Sequence, residues 1–105
     1  MEKSYAVTWQ DGAGPVHRGK LELRTADFLL EGSDGSARQT QRVEYGNVTG
    51  IHVARTPAER LSGRQTLVID RASVASLKIA GVAQPGLVSE LAEALTILQA
   101  RAAGP

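Results

Sequence analysis

The chain of 105 residues sets twelve Lys and Arg against eleven Asp and Glu, for a formal net charge of +1, and contains no cysteine. These totals exclude disulfides, Cys-ligated zinc and a thiol nucleophile, and they fit one domain. The charges are interspersed along the chain, so no basic face for duplex nucleic acid is advertised and no nucleic-acid partner is expected.

The opening residues MEKSYAVTWQDG lack the apolar run of a signal peptide, and no segment approaches the roughly 20 apolar residues that span a bilayer. A soluble, cytoplasmic protein is expected, with peripheral association at a membrane as the alternative. Nine of the twelve basic residues are Arg, and Ala, Gly and Val are abundant, a composition compatible with a GC-rich bacterial genome.

Tyr5, Val7 and Trp9 alternate with Ala6 and Thr8, which predicts a strand over 5–10 with an aromatic-rich inner face. Gln10 to Pro15 holds two glycines and a proline and reads as a loop. Within Gly19 to Leu30, Leu21 and Leu23 alternate with Lys20, Glu22 and Arg24. Thr25-Ala26-Asp27 then breaks the run before Phe28, Leu29 and Leu30. The pattern predicts a hairpin with strands at 19–24 and 27–31, its turn favoured by the Asp27 carboxylate folding back onto backbone N–H groups.

The polar, aperiodic segment from Glu31 to Gln41 reads as a surface loop. Val43 and Tyr45 mark a strand at 42–45, and Ile51 and Val53 another at 48–54, in which Gly50 signals a bulge or a close backbone approach. Ala54 to Gly63 is a second polar interval, with a helical turn expected at Pro57–Leu61. Leu67 with Ile69, and Leu77 with Ile79, predict strands at 65–70 and 76–80.

The period then changes. Leu87, Val88, Leu91, Ala94, Leu95 and Leu98 recur at helical spacing, with Pro85-Gly86 before them and Gly104-Pro105 after. One amphipathic helix is predicted over 86–102, with Glu90 in its first turn, where a carboxylate suits the helix dipole. A second apolar edge through Val88 and Ile97 is a candidate partner surface.

Seven short strands followed by one amphipathic helix resemble the pleckstrin-homology (PH) superfold. The Gly19–Leu30 stretch is similar to the second and third strands of such domains, and Val43–Ile51 is similar to the fourth-to-fifth strand region of bacterial PH-like proteins. The single Trp lies in the first strand, whereas PH domains usually carry one in the helix. The resemblance implies an α+β fold, mostly antiparallel: a seven-stranded bent barrel or sandwich capped by the C-terminal helix. It also implies a non-enzymatic binding or scaffolding module, without a cofactor, whose partners dock at loops, at an edge strand or along the helix.

The candidate ligand-binding residues are His17, Arg18 and Lys20, read as part of the loop between the first two strands, together with Arg64. Recognition of an anion needs converging cationic donors, and Arg55, Arg60 and Arg64 bracket a second loop that would sit near the first only if the fold brought it there. His17 and His52 have no acidic or cysteine neighbour at ligand spacing, so no metal site is expected. No catalytic motif is present. A protein partner or self-association is the leading expectation, and an anionic lipid headgroup or phosphate ligand the alternative.

Overall fold

The period-two alternation of apolar residues is realised in seven antiparallel strands followed by one helix; the computed structural model describes residues 3–61, 63–82 and 86–102. The strands are β1 (Lys3–Asp11), β2 (Val16–Leu23), β3 (Asp27–Ser33), β4 (Arg38–Glu44), β5 (Val48–Val53), β6 (Thr66–Arg71) and β7 (Val74–Gly81), and the helix is α1 (Leu87–Ala102). They form one open sheet in the order β4-β3-β2-β1-β7-β6-β5, so β4 and β5 are its two edges. Pro85 and Gly104-Pro105, expected to punctuate the helix, and Ser62 lie outside the described residues.

The core is one face of this sheet. Tyr5, Val7 and Trp9 of β1, Leu21 and Leu23 of β2, Phe28 and Leu30 of β3, and Leu67, Ile69, Leu77 and Ile79 of β6 and β7 are all buried. Leu87, Val88, Leu91 and Leu95 of α1 cover them. The helix packs on β5 and on the 3-10 turn at Tyr45–Asn47 that links β4 to β5. It therefore sits where the two edges of the sheet fail to meet. Its Val88 is buried against the core, so the expected outer edge reduces to Ile97, which is 48% exposed. No helix among the described residues is long and apolar enough to cross a membrane.

Two glycines set how closely β2 and β3 approach. Gly19 and Gly32 are directly opposite, and a Cβ on Gly19 would lie 2.0 Å from the Glu31 carbonyl oxygen and 2.6 Å from the Gly32 Cα. A Cβ on Gly32 would in turn meet Trp9 Nε1 at 2.9 Å. The indole lies over that bare backbone and donates to the Glu31 carbonyl at 3.1 Å.

Several boundaries differ from the sequence reading. β2 begins at Val16, not 19, because Val16 to Leu23 pair residue for residue with Gln10 to Lys3 of β1. His17, Arg18 and Lys20 are therefore strand residues, not loop residues. The expected loop from Glu31 to Gln41 shrinks to 34–37, because β3 and β4 stay paired out to Ser33 and Arg38. Polar residues are tolerated there because an edge strand needs backbone pairing on one side only. β7 likewise starts at Val74, after a turn in which Ser73 takes φ 65°. Gly50 does mark a register shift between β5 and β6. At the β2–β3 turn the Asp27 carboxylate takes the Arg24 guanidinium, at 2.8 and 3.2 Å, in place of backbone N–H groups.

Replacing Leu91 or Leu95 with Ala should cost about 2 to 5 kcal/mol in urea unfolding. An unchanged midpoint would mean that α1 does not seal the core. Gly19→Ala should lower the midpoint sharply, whereas Gly46→Ala, with nothing within 4 Å of its added methyl, should leave it in place.

Candidate functional site

Arg18 and Arg64, which belong to separate parts of the sequence, line one cleft of about 280 Å³. Its position follows from a second, smaller apolar cluster on the sheet face opposite the core. Val68 of β6 and Ala80 of β7 are buried on that face, and Leu61 and Ala54 of the β5–β6 connection are buried as well, so β6 carries buried side chains on both faces. The β5–β6 connection is held down by polar contacts: the Leu61 amide donates to Thr66 Oγ1 at 2.8 Å, and that hydroxyl donates to the Arg64 carbonyl at 2.9 Å. Arg64 then reaches across to β7, where Nη1 donates to the Gly81 carbonyl at 3.1 Å.

The opposite wall comes from β2 and the β3–β4 turn. Arg18 is exposed on β2, and Thr8 and Ser33, its cross-strand partners on either side, add hydroxyl groups. His17 also lines the cleft, but as a buried residue with 5% exposure, stacked on Trp9 with ring centroids 4.4 Å apart. Its Nδ1 is buried without a hydrogen-bond partner among the described residues. This corrects the reading of His17 as a loop residue: it points to the core side of β2, in register with Trp9.

Asp34 supplies the cleft's negative charge. Its carboxylate accepts the Ser36 hydroxyl at 2.7 Å and the backbone N–H groups of Ser36 and Ala37, and these donors pull its pKa down to about 2. Arg18 and Arg64 thus face one permanent carboxylate. Lys20 stays outside the cleft. It lies two residues further along β2, with its ammonium 3.8 Å from a Glu31 oxygen. The structure therefore brings together His17, Arg18 and Arg64 of the four candidate residues.

His52 has acidic neighbours that linear spacing did not reveal. Its Nε2 is 3.0 Å from Glu59 and its Nδ1 3.9 Å from Asp70. Glu59 arrives from the 3-10 turn at Pro57–Glu59, and its hydrogen bond with His52 is the leading cause holding its carboxyl below the usual range. The hydroxyls beside this group donate to its carboxylates, Ser76 to Asp70 at 2.6 Å and Thr56 to Glu59 at 3.3 Å, so among the described residues neither is paired with the imidazole. No group of three or more His, Asp or Glu among the described residues is arranged to hold a metal ion.

A larger cleft of about 600 Å³ lies between the start of β1, the β2–β3 turn and the end of α1. Two of its cations are engaged within the chain, Lys3 with Glu90 at 2.9 Å and Arg24 with Asp27 at 2.8 Å.

No family model matches the chain, and no curated protein matches it. Among solved structures, it is similar to the C-terminal domain of an unknown protein from Leishmania infantum, with a TM-score of 0.68 and 12% sequence identity. The match covers 93% of this chain and 82% of that one. At this identity the similarity is one of fold.

Because folded Asp34 titrates near 2 against an ordinary 3.8, whatever its turn contributes to stability is complete above pH 3.8 and fades as pH falls through about 2. In an NMR titration the Ser36 amide should move with a midpoint near 2, and Asp34→Asn should abolish that transition. A midpoint at the ordinary carboxylate value would mean that the turn is not held this way.

Proposed function

We propose that this chain is a non-enzymatic protein-interaction module of the bacterial PH-like kind, whose cleft takes an acidic side chain of a partner protein. The observation that supports this reading is the convergence of Arg18 and Arg64 beside the hydroxyls of Thr8 and Ser33. Two guanidinium groups offer forked donors matched to a carboxylate. Asp34 offsets part of their charge, which favours a single carboxylate over a polyanion.

The PH-like assignment rests on the element order, seven strands then a helix, and on the seating of α1 at the junction of β4 and β5. The module would work in the cytoplasm, where acidic protein surfaces are abundant. An anionic lipid headgroup or free phosphate is the competing ligand, drawing on the same two arginines.

A displayed library of random peptides, selected on the full chain, should enrich Asp and Glu at one position. Binding of the selected peptide should weaken with salt and be lost in an Arg18→Ala, Arg64→Ala double variant. Trp9, stacked on the cleft-lining His17, provides a fluorescence readout for the titration. Enrichment without acidic residues would overturn the reading, as would binding that survives the double substitution. Co-sedimentation with phosphatidylserine vesicles in the absence of peptide binding would move the assignment to the lipid headgroup.

A further inference from the structure

We propose that two copies of this chain pair through β4, antiparallel about a two-fold axis at Gln41, to continue one sheet across the dimer. β4 is an edge of the open sheet, paired on one side only, to β3. The opposite edge, β5, carries α1 against it, and the Gln99 side chain reaches the Val48 carbonyl at 3.4 Å. Among the described residues no element or backbone hydrogen bond covers the outer side of β4. Five of its seven residues, Arg38, Gln39, Thr40, Arg42 and Glu44, are exposed. A strand of this length with one free row of N–H and C=O groups is a template for another strand.

The charges on β4 select the occupant and the register. β4 runs from Arg38 to Glu44, so the two-fold pairing that uses its whole length puts Gln41 opposite Gln41. In that register Arg38 of each copy stands opposite Glu44 of the other, giving two cross-strand ion pairs on the solvated face, with Thr40 opposite Arg42. Sliding the copies by two residues in one direction sets Arg38 against Arg42, and in the other direction sets Arg42 against itself. Opposed like charges destabilise strand pairs and opposite charges stabilise them, so only the full-length register is self-complementary among these three.

The pairing also preserves the buried face. Directly opposite residues of antiparallel strands share a side of the sheet, and this register matches Val43 with Gln39 on the core side. Glu44 now lies 3.4 Å from Arg42 in its own chain, with both side chains solvated, so it can turn to the facing arginine at little cost. Arg38 stands opposite the cleft-lining Ser33, so this surface begins beside the cleft, but the strand pairing does not require the cleft to be occupied.

Sedimentation velocity of the full chain from micromolar to millimolar concentration should show the mass rising from 11.1 kDa toward twice that value. Arg38→Glu and Glu44→Arg, each alone, should raise the dimer dissociation constant by at least about tenfold. The double variant R38E/E44R, which restores opposite charges across the axis, should bring the dimer back. Circular dichroism of each variant confirms folding, and should one single variant fail to fold, the other carries the test. Amide hydrogen exchange at 38–44 should become slower as concentration rises. A chain that stays at 11.1 kDa throughout overturns the proposal, as does a dimer indifferent to the single reversals or one that the double variant does not recover.

Discussion

The close approach of Gly19 and Gly32 is the constraint on which the arrangement of this protein depends. Two paired strands come nearer there than any side chain would allow, since a methyl on Gly19 would sit 2.0 Å from a carbonyl oxygen. The bare backbone makes room for the largest side chain in the molecule. Trp9 lies over Gly32, satisfies its indole N–H on the Glu31 carbonyl and stacks on His17. One pair of glycines thus positions Trp9 and His17 together at the end of the core. The requirement is steric, so no side chain can substitute at Gly19 without moving β2 from β3.

The cleft is built on the other side of the same sheet. Its floor exists because β6 is apolar in both directions, with Leu67 and Ile69 facing the core and Val68 facing the β5–β6 connection. Leu61 folds onto that second apolar surface, and the Thr66 hydroxyl accepts the Leu61 amide while donating to the Arg64 carbonyl. Burying a few apolar groups under a loop is what carries Arg64 to within a shared cleft of Arg18. Asp34, held ionised by its own turn, limits the positive charge that results.

The open sheet leaves its two edges in different states. β5 is covered because α1 must bury Leu91 and Leu95, and the junction beside β5 is where the sheet exposes apolar surface. Among the described residues nothing covers β4 in this way; its exposed side chains are polar or charged, and its outer hydrogen-bonding row is free. The distribution of Arg38, Arg42 and Glu44 along it distinguishes one register from its neighbours.

Local order along the chain was legible in the residues themselves. Alternating Tyr5, Val7 and Trp9, the Leu21–Leu30 hairpin and the leucine spacing from Leu87 place each element on its own, because burial on one face imposes a period that needs no knowledge of partners. Polar strands escaped that logic: nothing in Arg38 to Gln41 alternates, and only pairing with β3 makes them extended. The acidic neighbours of His52 and the stacking of His17 on Trp9 escaped it for a related reason, since both depend on strand register. By itself the sequence determined seven strands and one helix, and the buried face of those elements whose apolar residues keep a regular period. The tertiary structure alone decided which charges meet, because Arg18 and Arg64 are joined by a sheet crossing and a buried loop, and no periodicity in a linear chain encodes that distance.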